Sequence, residues 1–407
     1  MIRSMPEKKN LRVGKLPKRA FFPFLSVLLL AIGGGGVGNP AVSVGWGEEV
    51  GQTVVSEESL PVPSRVKVLA GGYLSSDRTT EYGLKWLVRH QYADGSWSFD
   101  HTQAPGCRGC SGAGTWKEAT NMATAMGLLS LLGYGQTHKN GKYKESIARG
   151  LQYLCDSMER SQEAEGSFYQ AEGGMFAHAL ATLCLTEAYA MTRDKKLARP
   201  AQLALDFIEH SQNRKTGGWR ENPDFREDTL TTGWQLLALK SGYIGYLNIS
   251  EESVSLGMQF LETMQQEDGS YRLSQAALPG EYPSATAMAL ICRIRHAEAY
   301  DDPNWQKWMK IFVEREIGKN VDENFLTTWA IRQYGGEEWC IWRDRRWEDL
   351  RERQCRDESS CEYGSWNPTG DGSERWGRMG TTVWCLMTIE TYFRHLPLYQ
   401  GVNWRKP

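Results

Sequence analysis

The chain has 407 residues, with 47 Lys and Arg against 49 Asp and Glu, a length beyond one typical domain but suited to a single ring of stacked repeats. The near balance of charge leaves no strong field of one sign, so neither nucleic acid nor an anionic bilayer is implied as a partner. The 16 Trp, 17 Tyr and 12 Phe suit a chain that buries large side chains between helices or lines an apolar cavity.

From the N-terminus, Arg3, Lys8, Lys9, Arg12, Lys15, Lys18 and Arg19 precede the apolar run Phe21 to Ile32 and the glycines at 33–36. This is the anatomy of a signal peptide, and the run is too short to cross about 30 Å of hydrocarbon comfortably as a helix. We read 1–43 as a signal peptide, cleaved near Ala41-Val42-Ser43, with an uncleaved anchor as the alternative. Residues 44–70 read as a linker and 71–400 as the folded domain. The expected location is exported, either periplasmic or membrane-associated through the N-terminal segment.

An internal repeat organises the rest. Tyr82-Gly83-Leu84-Lys85-Trp86-Leu87-Val88-Arg89-His90-Gln91, followed by Asp94-Gly95-Ser96-Trp97, has echoes downstream. They run Gln162 with Gly166-Ser167-Phe168, Gln212 with Gly217-Gly218-Trp219, Gln265 with Gly269-Ser270-Tyr271, and finally Gly364-Ser365-Trp366. Aligning Gly95, Gly166, Gly218, Gly269 and Gly364 gives a unit near fifty residues, enough for two helices and two connections. Segments 79–91, 145–160, 200–211 and 252–265 mix apolar positions at helical spacing with charges and are predicted outer helices. Met122 to Leu132, Met175 to Ala188, Leu230 to Leu239, Ser284 to Ile294, Leu326 to Arg332 and Thr381 to Tyr392 are predicted inner helices. The charged run Arg343 to Arg356 reads as one more outer helix with a solvated face. Six inner and six outer helices close a barrel.

The segment 82–97 resembles the QW motif of squalene-hopene cyclases and prenyltransferase β subunits, in which Gln caps neighbouring helix ends and Trp packs on the preceding helix. The stretch from His178 to Thr192, with Gly217-Gly218-Trp219-Arg220 and Asp228 to Ser241, is similar to exported bacterial proteins known by this repeat alone. The resemblance spans roughly 77–395 and implies an all-α fold, an α/α toroid of the terpenoid cyclase type. It also implies an apolar, isoprenoid-like ligand; a non-catalytic scaffold or binding module of the cell envelope is the alternative.

Class II terpenoid cyclases protonate an alkene with the middle Asp of a DxDD motif at an inner-helix start. The matching place here is Phe225-Arg226-Glu227-Asp228, where Phe225 replaces the first Asp and Glu227 stands at the acid. The resemblance therefore makes Glu227 and Asp228 the catalytic candidates, with Trp219, Trp234 and His178 toward the ligand. On residue type alone, Asp228 and Thr229 read as a helix N-cap and His178 as a core histidine. Glu118, Asn121, Glu172, Glu227, Asp228, Glu281 and Glu323 fall near inner-helix starts, which leaves room for a glycan-active α/α barrel with paired carboxylates. Prenyltransferase activity is disfavoured, because the chain offers no Asp-x-Cys with a following inner-helix His.

Of the nine cysteines, Cys107, Cys110, Cys355 and Cys361 lie in loop-like sequence, and the others sit among apolar helical residues. Loop cysteines in an exported chain point to disulfides, with oxidation expected around Cys107 and Cys110. A zinc set of those four loop cysteines is the competing reading. No metal site and no cofactor is assigned.

Overall fold

The computed structural model describes residues 78–400 apart from 279, 281, 294–301, 371 and 394–395. The predicted leader, the linker, Glu281 and the end of one inner helix at Ile294 lie outside the described residues. Among the described residues, twelve α-helices run in outer and inner alternation: α1 Thr79–Arg89, α2 Thr120–Gly133, α3 Lys144–Ser157, α4 Gly174–Thr192, α5 Lys195–Ser211, α6 Thr229–Ile244, α7 Glu251–Met264, α8 Pro283–Arg293, α9 Pro303–Glu314, α10 Val321–Tyr334, α11 Gly336–Arg353 and α12 Gly377–Phe393. The described residues form isolated bridges but no named strand. None of their helices is long and apolar enough to cross a membrane.

The even-numbered helices pack side by side in the order α2, α4, α6, α8, α10, α12 and back to α2, so the inner ring is closed. Their residues are buried on nearly every side: thirteen of the fourteen positions of α2 are buried, from Asn121 to Gly133. Odd-numbered helices bury one stripe only, as α1 does through Thr80, Gly83, Leu84 and Leu87, and lie against the inner ring. An all-round apolar helix needs neighbours on both sides, whereas an amphipathic one needs a single dry face, which is why the two kinds sort into two layers. The outer helix α9 had no counterpart in the sequence reading.

The repeat motif is a joint between neighbours. The Gln91 amide donates to the carbonyls of Gly95 at 2.8 Å and Ser146 at 2.9 Å, Gln212 to those of Gly217 and Ser253, and Gln354 to those of Gly364 and Thr79. Each Gln thereby gives a second donor to a carbonyl in the first turn of the next outer helix and ties that helix to its own turn. The indole N–H of Trp97, Trp219 and Trp366 returns to the last turn of the preceding outer helix, at Leu87, Ile208 and Leu350. Gly95, Gly217 and Gly364 have positive φ, and a Cβ on them would come within 2.5, 2.1 and 2.3 Å of the carbonyl oxygens of Arg149, Leu256 and Tyr82. Only glycine fits that approach.

These contacts correct the alignment at two places. Gly217, not Gly218, carries the positive φ and so is the counterpart of Gly95. In the second repeat Glu159 makes the bonds to Gly166 and Ser167 that Tyr92 makes to Gly95 and Ser96. Met158 therefore stands where the other repeats have Gln, and Gln162 is not part of the joint. At the far end of the ring the 3-10 turn Pro397–Gln400 packs on α4 and α6, with the Leu398 N–H 3.3 Å from a Glu187 carboxylate oxygen.

Candidate functional site

The N-terminal ends of the inner helices surround a cavity of about 630 Å³. Phe176 of α4, Trp234 of α6, Leu326 of α10 and Trp384 of α12 line it, together with Trp116 and Trp376 from the loops that enter α2 and α12. The rings form one connected floor. Phe176 and Trp234 centroids are 5.3 Å apart, Trp234 and Trp384 6.3 Å, and Trp376 and Trp384 6.1 Å. Phe325 packs beneath them, 5.2 Å from Trp384. These separations are those of favourable offset and edge contacts, so the floor is rigid as well as apolar.

Glu221, Asp224, Asp228 and Asp322 reach the same cavity, with Arg375 among them. Asp228 caps α6, its carboxylate accepting the Thr231 N–H at 2.8 Å. Burial raises the Asp228 carboxyl above its ordinary pKa despite that N–H. Glu221 is raised by burial and then by the charge of Asp228, with Arg375 opposing; Asp322 is raised by burial, again against Arg375. Arg226 and Arg375 both line the cavity, and Arg375 stands 4.0 Å from Asp322 and lies over the Trp376 ring at 4.0 Å. Burial thus raises three carboxyls that line the same cavity, Asp228, Glu221 and Asp322.

The five residues singled out from the sequence part company here. Asp228 and Trp234 line the cavity. Glu227 does not: its carboxylate accepts from Asn213 at 2.7 Å and pairs with Arg220 at 3.0 Å. Burial alone would raise it, but Asn213 and Arg220 together hold it below the usual carboxylate range, which is the wrong direction for a proton donor. The cause is the extended backbone at Asp228 (φ −136°, ψ 161°), which sends successive side chains to opposite sides.

His178 and Trp219 are also outside the cavity, and both belong to the repeat joint. In four repeats the backbone N–H of the Trp or Tyr following the glycine turn donates to an inner-helix Thr, at Thr124, Thr232, Thr286 and Thr382. In the second repeat the Phe168 N–H donates to His178 Nδ1 at 3.1 Å, and His178 Nε2 faces the Ala204 carbonyl at 3.1 Å. This fixes the neutral Nε2–H tautomer, and burial drives the imidazole pKa down to about 3. Trp219 is spent on the Ile208 carbonyl. Among the other acidic candidates, Glu172 accepts the Glu118 N–H at 2.7 Å and Glu323 accepts from Ser284 at 3.3 Å.

Glu221, Asp224, Asp322, Arg375, Trp116 and Trp376 were not anticipated. Their common signal is position: each lies within a few residues of an inner-helix start or in the loop just before one. The loop cysteines divide as well. Cys107, Cys110 and Cys361 come together with His90, while Cys355 faces Arg378 at 3.5 Å.

No protein-family profile matches the chain. Dammaradiene synthase from Dryopteris crassirhizoma is 26% identical over 220 residues, covering 47% of this chain and 31% of that protein; the chain thus spans about a third of that relative. Among solved structures, the type II terpene cyclase MstE from Scytonema aligns over 78% of this chain and 99% of its own, with 14% identity and a TM-score of 0.51. The α-1,6-mannanase GH76A of Salegentibacter sp. HEL1_6 aligns over 77% of this chain and 97% of its own, with 11% identity and a TM-score of 0.52. At such identities the structural likeness carries the fold alone, and with the closed inner ring it makes this chain a terpenoid-cyclase-like α/α toroid.

Proposed function

We propose that the chain is an exported toroid that binds an apolar, isoprenoid-like molecule in the cavity at the inner-helix N-termini, with Asp228 presenting its carboxyl to it. The observation that carries this reading is the placement of Asp228: a carboxyl raised by burial on the wall of a cavity floored by Phe176, Trp234 and Trp384. An apolar ligand gains from leaving water for such a floor. In the catalytic form of this reading, Asp228 delivers its proton to one alkene carbon. The ring faces stabilise the positive charge left on the neighbouring carbon; a second double bond of the same molecule closes a ring onto that carbon and carries the charge onward, and loss of a proton from a C–H beside the final cation to the Asp228 carboxylate restores the acid. Reactant and product are isomers, so no oxidant or co-reactant is needed.

A second reading rests on Glu221 and Asp322 beside Asp228, with Trp116 and Trp376 available to stack on a sugar. It is that of a glycan-active barrel, in keeping with the mannanase neighbours.

One panel separates the readings. Wild-type protein is incubated with squalene, a geranylgeranyl-bearing phenol and α-1,6-linked mannotriose, with products followed by mass spectrometry and binding by quenching of tryptophan fluorescence. A cyclised isomer lost in Asp228→Asn supports the acid role. Binding of the polyprenyl compounds without turnover leaves a binding toroid, and cleavage of mannotriose transfers the site to glycans. Absence of both turnover and binding with either polyprenyl compound removes the isoprenoid proposal.

A further inference from the structure

His90, Cys107, Cys110 and Cys361 bring one imidazole nitrogen and three sulfurs within 4.8 Å of one another. His90 is the residue that ends α1. Cys107 and Cys110 follow in the loop before α2, and Cys361 lies in the loop between α11 and α12. His90 Nε2 is 3.3 Å from Cys110 Sγ and 3.8 Å from Cys361 Sγ. Tetrahedral zinc, with bonds of about 2.3 Å to sulfur and 2.0 Å to nitrogen, holds its ligand atoms roughly 3.5–3.8 Å apart. The four atoms therefore already have nearly the spacing of a coordination shell, and a small contraction completes it.

The surroundings are those of a metal ligand set. His90 Nδ1 is 2.7 Å from the Trp86 carbonyl, so that nitrogen carries the proton and donates, and the Nε2 lone pair is turned toward the sulfurs. A ligand histidine is ordinarily fixed in this way by its other nitrogen. The Arg108 backbone N–H donates to Cys361 Sγ at 3.0 Å, a bond that favours thiolate over thiol. Arg89, whose guanidinium donates to the Cys361 carbonyl, brings positive charge to a centre that three thiolates and one divalent ion would leave at minus one. His90 and Cys110 are buried, and Cys107 and Cys361 are half-buried, which leaves a route in for the ion. A disulfide accounts for less: three thiols cannot all pair, and His90 would be turned toward sulfurs it does not serve.

We propose that His90, Cys107, Cys110 and Cys361 form a closed, four-ligand structural zinc site that staples the first repeat to the last. Thiolate and imidazole donors in a compact tetrahedron select zinc over the harder oxygen-preferring divalent ions. With no ligand position left open, the site serves folding and not chemistry, so it is independent of the ligand proposed for the cavity.

The test uses the full chain purified without chelator. Native mass spectrometry and elemental analysis should find one zinc per chain, and cobalt exchanged into the protein should show the visible absorption of a tetrahedral thiolate complex. Cys361→Ser should lose that metal, whereas Cys355→Ser and Cys155→Ser should keep it. Because Cys361→Ser could also fail to fold, His90→Cys gives an independent reading: it should retain one metal and shift the cobalt spectrum to that of a four-thiolate centre. Metal-free protein with a Cys110 to Cys361 disulfide would overturn the proposal, as would equal metal loss from Cys355→Ser.

Discussion

The side-chain amide of Gln354 lies 2.9 Å from the main-chain carbonyl of Thr79, a residue 275 positions earlier. The same nitrogen donates to Gly364 at 2.7 Å, so one buried amide joins the last outer helix, its own turn and the first outer helix. Gln354→Leu keeps the approximate volume and removes both donors. The Thr79 carbonyl keeps its helical partner, so the loss of two buried hydrogen bonds should cost about 1–3 kcal/mol, read as a lower denaturant midpoint. Gln152→Leu, on the exposed face of α3, should change stability by under about 0.5 kcal/mol.

His178 offers a second test, because it stands where the other repeats use threonine. His178→Leu strands the Phe168 N–H and removes the second donor on the Ala204 carbonyl, which keeps its helical one, and should cost about 1–3 kcal/mol. His178→Thr restores an acceptor for Phe168 and should cost less. The pH dependence has a definite sign. The folded pKa is about 3, below the ordinary value near 6.5, so the stability His178 contributes is present above pH 6.5 and is lost as pH falls from there toward 3. Melting curves between pH 7 and 4 should drop less steeply for His178→Thr than for wild type.

Glu390 on α12 predicts the opposite slope. It is fully buried, neither carboxyl oxygen has a hydrogen-bond partner among the described residues, and burial raises its pKa well above the ordinary value. A folded pKa above the unfolded one means that its stability contribution is intact below about pH 4.5 and is lost as pH rises toward the folded pKa. Each pH unit in that window costs about 1.4 kcal/mol for one such group. Glu390→Gln should therefore match wild type near pH 4 and exceed its melting temperature increasingly toward pH 8. Equal shifts at both pH values would mean that Glu390 ionises in the folded chain.

Asp228 and Glu227 should separate under parallel substitution. Asp228→Asn retains an N-cap acceptor for Thr231 and should cost at most about 1 kcal/mol, whereas Asp228→Ala loses the cap at about 0.5–2 kcal/mol. Glu227→Gln weakens a pair with the half-exposed Arg220 and should cost under about 1 kcal/mol. Neither Glu227→Gln nor Arg220→Gln should alter ligand binding in the cavity, since neither residue lines it. Calorimetric unfolding and fluorescence quenching on the same samples would separate stability from binding.

Much of the toroid was legible because its signals are local and repeated. Gln91, Gly95 and Trp97 lie within seven positions of one another and recur, and an all-apolar helix such as α4 announces that it has neighbours on both sides. Helix α9 escaped because its repeat lacks the Gly-x-Trp turn. The cavity was half legible. Asp228 and Trp234 follow the Gly-Gly-Trp turn, but Trp116, Glu221 and Arg375 converge from three connections and Asp322 from the first turn of α10, which nothing in the linear pattern brings together. Glu227 and Asp228 were named together, and what separates them is the alternation of side chains along extended backbone, which places only Asp228 on the cavity. His90 was concealed differently: it sits inside the repeat motif, and its partner Cys361 is 271 residues away.

Because α12 packs back onto α1 and α2, the architecture has no outermost repeat. Linear solenoids fray from their caps, each end repeat holding one neighbour instead of two. Here every repeat has two, so peeling any of them away must break two interfaces at once. Amide hydrogens of the inner helices should then exchange at similar, slow rates around the whole circle, without a gradient toward either terminus. Removing one helical pair should leave the remainder not a shorter ring but an opened arc, with its aromatic floor exposed to water and prone to aggregate.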